Sequence, residues 1–321
     1  MMPENSKRKV SLLIPMYNEE AVLPALFERV NGLMDSHPEY DWEVLLVNDG
    51  SRDNSLLMAM QMRARDPRWH WLDLSRNFGK ERAMMAGFDY VTGDCMIILD
   101  ADLQDPPELI PEMLGYWREG YDDIYARRST RGREPWLRRK FSMAFYSILQ
   151  RTSKVDVLPN VGDFRLLDRI CVDALRQLRE TQRYTKGLFS WIGFRKKEIL
   201  FDRGSREAGE SKWSFFSLLN LAIEGITSFT ISPLRFATVL GFIVSVIAFI
   251  LMCFYMGKAL IFGDEVQGFP TLITAILFLG GTILLSLGII GEYVGRIFLE
   301  TKNRPGYLVR DYDGTLSKSD K

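Results

Sequence analysis

The chain has 321 residues, of which 47% are hydrophobic and 26% are charged. This composition supplies enough apolar side chains for a folded core, which excludes disordered and fibrous proteins. Its 41 basic residues balance its 41 acidic residues, so no basic excess indicates a nucleic-acid partner. Its three cysteines and two histidines are scattered, which excludes a disulfide framework and leaves little room for histidine catalysis or zinc binding.

Apolar segments alternate with helical patterns through the amino-terminal part of the chain. Strands are predicted at VSLLIP from Val10, WEVLLVN from Trp42, WHWLDL from Trp69, CMIIL from Cys95, and at 123–126. Helices are predicted at 23–34 and 80–90. Two more are predicted to begin, one after the cap-forming residues 53–55 and one in the proline-rich DPPELIPEML segment. Continuous apolar strands separated by helices predict an α/β fold with a mostly parallel, Rossmann-like sheet covered on both faces.

Polar motifs follow three of the predicted strands. They are Tyr17-Asn18-Glu19, Asn48-Asp49-Gly50-Ser51 and Asp100-Ala101-Asp102. Because ligands of such sheets bind beyond the carboxyl ends of the strands, we expect these motifs to converge at one edge. Asp100 and Asp102 are spaced to reach one hard divalent cation, and Asp49 is placed to accept hydrogen bonds from a base or ribose. The structural alternative for each motif is an ordinary polar turn.

Two basic segments are candidates for binding phosphate groups or a membrane surface. Residues 127–140 contain seven basic side chains and one acidic side chain. They overlap an amphipathic helix predicted at 136–151. The second segment is a Gly-, Ser- and Lys-containing loop at 206–213, which precedes another predicted helix at 215–229. A solvated charge run and a surface loop are the alternatives. The candidate phosphate or lipid-carrier residues are Arg127, Arg131, Arg138, Arg206, Ser211 and Lys212.

Two uncharged segments near the carboxyl terminus predict a membrane hairpin. Residues 236–256 and 271–291 each extend about 30 Å as helices, the thickness of a bilayer core. Basic residues flank the pair, and the start of the chain has no secretory signal, so both termini are expected in the cytoplasm. This predicts a cytoplasmic domain at 1–230, a transmembrane hairpin at 231–299 and a cytoplasmic tail at 300–321. A pair of buried core helices is the alternative, and glycines in the second span permit a homo-oligomer.

Together these motifs resemble those of one enzyme family. Pro15, the three strand-end motifs, Gln104-Asp105-Pro106 and Gly209-Glu210-Ser211-Lys212 are similar to family 2 GT-A glycosyltransferases that act on polyprenyl phosphates, a group that includes dolichol-phosphate mannose synthases. The segments 76–81, 160–165 and 291–297 are more similar to bactoprenol (undecaprenyl phosphate) glucosyltransferases. The resemblance extends over nearly the whole chain.

The resemblance implies roles for individual residues. The implied nucleotide-binding residues are Pro15, Tyr17, Glu19, Asp49 and Asp100. The implied ligands of Mg²⁺ or Mn²⁺ are Asp100, Asp102 and Gln104, and the implied catalytic residues are Asp100, Asp102 and Asp163. Asn48 stands where many members of the family have Asp, so we leave it out of the metal set.

The resemblance also implies a reaction. It is the inverting transfer of glucose from UDP-glucose to undecaprenyl phosphate on the cytoplasmic leaflet of the inner membrane, by a multi-pass protein. Mannose or a modified arabinose as the donor sugar remains open. A processive polysaccharide synthase would need more transmembrane helices and a Q-x-x-R-W motif, which this sequence lacks. A non-enzymatic membrane component for carrier-lipid handling would explain the hairpin but not the position of the D-x-D motif.

Overall fold

The computed structural model describes residues 7–128, 161–181, 183–201 and 269–313, and positions 237, 239–244, 246, 247, 250 and 254. The chain divides into two compact units. The first unit consists of Met1–Gln150, Lys154–Ser214 and Arg304–Lys321, and the second consists of Arg151–Ser153 and Phe215–Asn303.

A mixed sheet organises the first unit. The strands that the structure describes are β1 (Lys9–Met16), β2 (Asp41–Asn48), β3 (Trp69–Leu74), β4 (Cys95–Ile98), β5 (Asp123–Arg128), β6 (Val161–Asp168), β7 (Lys196–Phe201) and β8 (Val309–Asp313). They form one sheet in the order β7-β5-β6-β4-β1-β2-β3-β8. Strands β4, β1, β2 and β3 run parallel, as predicted. Strand β6 is antiparallel to β4 and β5, and β8 is antiparallel to β3, so the whole sheet is mixed.

Helices connect the strands and cover the sheet. They are α1 (Leu23–Ser36), α2 (Ser55–Arg65), α3 (Lys80–Tyr90), α4 (Ile110–Arg118), α5 (Arg169–Gln177) and α6 (Thr185–Trp191) in the first unit, and α7 (Phe269–Thr301) in the second. A 3₁₀ turn at Pro107–Leu109 precedes α4. Helices α1 and α4 carry proline in the first turn, where the missing N–H is not needed.

The central strands lie in the core of the first unit. Seven of the eight residues of β1 and seven of the eight of β2 are buried, as a parallel sheet covered on both faces requires. Trp69, Phe88 and Phe164 are among the largest fully buried side chains. This packing holds the carboxyl ends of the central strands at one edge, where the polar motifs begin.

Several elements of the first unit were not predicted from the sequence. They are β6, β7, β8, α5 and α6. Asp163, to which the resemblance gives a catalytic role, lies on strand β6. Within the expected tail at 300–321, residues 309–313 form β8 beside β3, and Tyr312 packs edge-on against Tyr90 with ring centroids 4.8 Å apart.

Helix α7 belongs to the second unit and contains the second predicted membrane span. Among the described residues, one stretch, Phe278–Thr301, is long and apolar enough to cross a membrane, with 24 residues and a mean hydropathy of 1.6. The helix continues beyond the predicted end of the span at 291 as far as Thr301. The described positions between 237 and 254 are helical, but much of the first predicted span lies outside the described residues. The two-helix hairpin therefore stays a prediction.

Candidate active site

The polar motifs converge at the carboxyl edge of the central strands, as predicted. The strand register aligns Met16 with Asn48 and Asn48 with Asp73, so the loops that follow these strands are neighbours. A cleft of about 280 Å³ opens there. Six predicted site residues line it, namely Pro15, Tyr17, Glu19, Asp49, Asp100 and Asp102. Six further lining residues had no predicted role, namely Met16, Asn77, Gly79, Lys80, Ala83 and Ala101.

Hydrogen bonds join the loop after β1 to the loop after β2. The backbone N–H of Asn18 donates to Ser51 Oγ at 2.9 Å, and the N–H of Arg52 donates to Asn18 Oδ1 at 2.8 Å. The N–H of Glu19 donates to Ser55 Oγ at 2.8 Å. Asn18 has a φ of +56°, a left-handed conformation that asparagine tolerates better than most residues. These contacts fix the cleft wall that carries Tyr17 and Glu19.

Asp49 fixes the loop that follows β3. Its Oδ1 accepts the N–H of Phe78 at 2.7 Å and its Oδ2 accepts the N–H of Gly79 at 2.8 Å. Gly50 has a φ of +69°, and a Cβ there would lie 2.6 Å from the carbonyl carbon of Arg76, so this close approach requires glycine. Burial raises the pKa of Asp49, and the two N–H donors offset part of that rise.

Asn48 has a structural position beneath this loop. Its Nδ2 donates to Asp73 Oδ1 at 2.7 Å, and its Oδ1 accepts the N–H of Ser51 at 3.2 Å. The residue is only 1% exposed. Both ends of the amide thus bind protein groups, which agrees with leaving Asn48 out of the metal set.

Lys80, at the start of α3, joins two predicted catalytic carboxylates. Its Nζ lies 2.6 Å from Asp100 Oδ1 and 2.9 Å from Asp100 Oδ2, and 2.6 Å from Asp163 Oδ2. Strand β6 runs antiparallel to β4 with Arg165 opposite Ile98, and continuing this register brings position 163 opposite position 100. The sequence motif containing Lys80 was recognised as part of the resemblance, but the lysine itself had no predicted role.

The pKa values of Lys80, Asp100 and Asp163 depend on each other. Burial alone would lower the pKa of Lys80, but the carboxylates of Asp100 and Asp163 outweigh burial and raise it. Burial would raise the pKa of Asp163, but Lys80 and Lys186 hold it below its ordinary value. Burial raises the pKa of Asp100, and Lys80 only partly offsets this rise. Lys80 is therefore a cation and Asp163 an anion near neutral pH.

The predicted metal ligands supply hard oxygen donors. Asp102 Oδ1 accepts the backbone N–H of Gln104 at 3.2 Å. Gln104 is 8% exposed, and its buried Oε1 has no hydrogen-bond partner in the part of the chain that the structure describes. Burial raises the pKa of Glu19, and the charges of Asp102 and Asp100 add to this rise. An unpaired buried amide oxygen and the carboxylates of Asp100 and Asp102 are the hard oxygen donors that a divalent cation such as Mg²⁺ or Mn²⁺ takes, although Gln104 is not among the described residues that line the cleft.

The predicted metal site is not formed by Asp, Glu, His and Cys side chains alone. Within the described ranges, no group of three or more His, Cys, Asp or Glu side chains is arranged to hold a metal ion. The predicted set contains two carboxylates and an amide oxygen, and Lys80 contacts both oxygens of one of them, Asp100. The fit to a metal therefore depends on Gln104 and on the position of Lys80.

The predicted phosphate-binding residues are mostly beyond what the structure describes. Arg127 lies on β5 and its Nη1 pairs with Glu198 Oε2 on β7 at 3.1 Å. It is not among the residues that line the cleft. The remaining candidates lie outside the described residues, as do the predicted interfacial helices at 136–151 and 215–229; these candidates are Arg131, Arg138, Arg206, Ser211 and Lys212.

A carboxylate-lined cleft at the carboxyl edge of a Rossmann-like sheet is typical of α/β enzymes that bind nucleotides. Comparison with known proteins identifies the class more closely. The model of the family "Glycosyl transferase family 2" matches residues 11–176. The chain belongs to this family and is a glycosyltransferase with a GT-A, Rossmann-like mixed sheet.

Similar proteins match along almost their full length. An uncharacterized glycosyltransferase, sll0501, from Synechocystis sp. is 45% identical over 95% of this chain and 96% of its own. The SfII prophage-derived bactoprenol glucosyl transferase of Shigella flexneri is 40% identical over 94% of this chain and 97% of its own. Among solved structures, glucosyl-3-phosphoglycerate synthase from Mycobacterium tuberculosis matches 68% of this chain and 76% of its own, with 17% identity and a TM-score of 0.44.

Proposed function

We propose that this chain transfers one hexose from a nucleotide sugar to the phosphate of undecaprenyl phosphate, with UDP-glucose as the donor. The carboxylate-lined cleft, with Lys80 bound between Asp100 and Asp163, is the observation that carries the proposal. The acceptor and the sugar are supported by the full-length similarity to the Shigella protein named a bactoprenol glucosyl transferase.

The proposed reaction is a single displacement at the anomeric carbon. A lipid-phosphate oxygen forms the new bond to this carbon while the bond to the donor's diphosphate oxygen breaks on the opposite face. The nucleoside diphosphate leaves with the bonding electrons, and the configuration inverts. A phosphate monoester has a second pKa of about 6, so the nucleophile is already an anion and needs no general base. The described residues that line the cleft include no histidine, which agrees with a reaction that needs no general base.

The side chains of the cleft serve binding and charge stabilisation in this proposal. Pro15, Tyr17, Glu19 and Asp49 surround the nucleoside, and each oxygen of Asp49 keeps a lone pair for it. Asp100, Asp102 and Gln104 would hold Mg²⁺ or Mn²⁺, which would offset negative charge on the diphosphate leaving group. Asp163, kept ionised by Lys80 and Lys186, orients a sugar hydroxyl or stabilises positive charge at the anomeric carbon.

The proposal also places the protein at a membrane. An acceptor with a polyprenyl chain is confined to the bilayer, and the stretch Phe278–Thr301 has the length and hydropathy to enter it. We propose the inner membrane, a two-helix hairpin and both termini in the cytoplasm. The basic residues of segments 127–140 and 206–213 then bind the lipid phosphate or the membrane surface.

Asp102→Asn tests the role of the D-x-D carboxylates. The substitution keeps the shape but removes the charge, and we expect transfer to fall by about 100-fold to 1,000-fold, as when one preorganised electrostatic group is lost. The measurement follows labelled sugar from UDP-glucose into undecaprenyl phosphate with the full chain, with and without EDTA.

Asp41→Asn is the matched control, because Asp41 is exposed at the opposite, amino end of β2. This variant should transfer at the wild-type rate. Wild-type transfer by Asp102→Asn, together with transfer that EDTA leaves unchanged, would contradict the proposed metal-dependent reaction.

A further inference from the structure

Lys80 is a built-in cation among the carboxylates of the cleft. Of the residues that line the described cleft, four are acidic and only Lys80 is basic. Its Nζ contacts both oxygens of Asp100, at 2.6 and 2.9 Å, and one oxygen of Asp163, at 2.6 Å. These are the short distances of charge-assisted hydrogen bonds. The lysine therefore neutralises much of the negative charge at this end of the cleft.

The position of Lys80 conflicts with metal binding through Asp100. Asp100 belongs to the predicted metal set, yet both of its oxygens contact the ammonium group. The other two members behave differently. Gln104 Oε1 is buried without a hydrogen-bond partner among the described residues, and Asp102 uses Oδ1 to accept the Gln104 N–H. Two cations close to the same carboxylate repel each other, so Lys80 and a divalent ion compete for Asp100.

We propose that Lys80 is the internal counterion of the metal site. It holds Asp100 until a divalent cation binds, then releases Asp100 and keeps its contact with Asp163. This inference deepens the proposed function and rests on its use of a divalent metal. It makes Lys80 a positioning residue, which lowers the affinity for the metal alone and keeps Asp163 in place.

The proposal predicts that removing the lysine charge tightens metal binding. Mn²⁺ is the probe, and its binding to the full chain is measured by electron paramagnetic resonance, without nucleotide or lipid. We expect Lys80→Gln to bind Mn²⁺ about tenfold more tightly than the wild type. Lys80→Arg keeps the charge and should show no such gain.

A second lysine provides the matched control. Lys9 pairs with Glu43 at 3.2 Å, at the amino end of β1 and outside the cleft, so Lys9→Gln should keep the wild-type Mn²⁺ affinity. Thermal unfolding gives a second readout, because at a given concentration a ligand that binds only the folded state stabilises it more when its Kd is lower. Mn²⁺ should therefore raise the unfolding temperature of Lys80→Gln more than that of the wild type, even if this variant is less stable without metal.

Equal or weaker Mn²⁺ binding by Lys80→Gln would overturn the counterion role, because the lysine would then support the ligands rather than compete for them. The same result for Lys9→Gln and Lys80→Gln would also overturn it. Since the assay contains neither donor nor lipid, its outcome is independent of whether sugar transfer occurs. If Lys80→Gln binds Mn²⁺ more tightly but the wild type does not glycosylate the lipid, the proposed function is contradicted and the counterion role of Lys80 stands.

Discussion

Two glutamates, Glu43 outside the cleft and Glu19 within it, have pKa values shifted in opposite directions. Its carboxylate accepts hydrogen bonds from Ser11 Oγ and from both the N–H and Oγ1 of Thr92, the latter two at 2.9 and 2.7 Å. Burial alone would raise the pKa of Glu43, but these donors and Lys9 lower it. Glu19 in the cleft has a raised pKa, because burial and neighbouring carboxylates both act against its charge. The structural carboxylate is satisfied, while the cleft retains excess negative charge that suits a cation.

The lowered pKa of Glu43 predicts a pH-dependent contribution to stability. Because its pKa is lower in the folded state than in the unfolded state, Glu43 stabilises the fold above the ordinary glutamate pKa. This stabilisation is lost as the pH falls through the folded-state pKa. We expect Glu43→Gln to cost about 1–3 kcal/mol at pH 7, the loss typical of a buried hydrogen-bonding group.

Urea unfolding followed by tryptophan fluorescence measures this free energy at neutral and acidic pH. The difference between Glu43→Gln and the wild type should narrow on acidification. Glu39→Gln, at an exposed position, serves as the control and should be neutral. A variant as stable as the wild type at pH 7 would contradict this role of Glu43.

At the scale of elements, strand β8 and the residues just before it anchor helix α3. Tyr307 donates its phenolic O–H to Asp89 Oδ2 at 2.6 Å, and Arg179 binds both oxygens of Asp89 at 2.6 and 2.7 Å. Burial and the Asp89 charge raise the pKa of Tyr307, which keeps the phenol protonated as a donor. These contacts hold the carboxyl-terminal end of α3, whose amino-terminal end carries Lys80.

Tyr307→Phe removes this hydrogen bond and nothing else. We expect a loss of about 1–2 kcal/mol in unfolding free energy, since a donor to a charged acceptor is removed from a partly buried site. The measurement is again urea unfolding of the full chain. Arg304→Gln is the control, because Arg304 is exposed at the start of the same segment. Equal stabilities of the two variants would show that the anchor contributes nothing.

The sequence predicted those elements whose pattern is local. Strands β1 to β4 were predictable, because each is a short, mostly apolar run between turn or helix signals, as a buried parallel strand requires. Strand β6 was missed because it contains Asp163 and Arg165 among its apolar residues. Within the described part of the chain, Arg165 forms an ion pair in the core with Asp123 on β5, 3.1 Å away, with side chains 5% and 1% exposed. Only the tertiary structure shows that pairing.

For the cleft too, the sequence predicted what has a local pattern and missed what depends on tertiary structure. The motifs after β1, β2 and β4 predicted its place and the four carboxylates among its described lining residues, because strand ends in a parallel sheet meet at one edge. Lys80 was missed because its function depends on where α3 begins and on the antiparallel register of β6 with β4. A lysine at the start of a helix carries no local sign that two carboxylates face it.

At the scale of the whole molecule, the two units have different physical properties. The first has a buried core and a polar cleft, whereas α7 exposes large apolar side chains such as Leu284, which is 70% exposed. The length and composition of α7 are those of a helix that can cross a membrane. An enzyme that joins a soluble sugar donor to a membrane lipid needs both properties, and this combination agrees with the proposed acceptor.

The chemical identity of the lipid product tests the central proposal most directly. The full chain is incubated with UDP-glucose, GDP-mannose or a UDP-arabinose derivative and undecaprenyl phosphate, and the lipid is analysed by mass spectrometry and NMR. We predict a phosphodiester lipid that carries one glucose with inverted anomeric configuration, and release of UDP. A product with the sugar on a lipid diphosphate, a retained configuration, or an unchanged lipid with every donor would contradict the proposal.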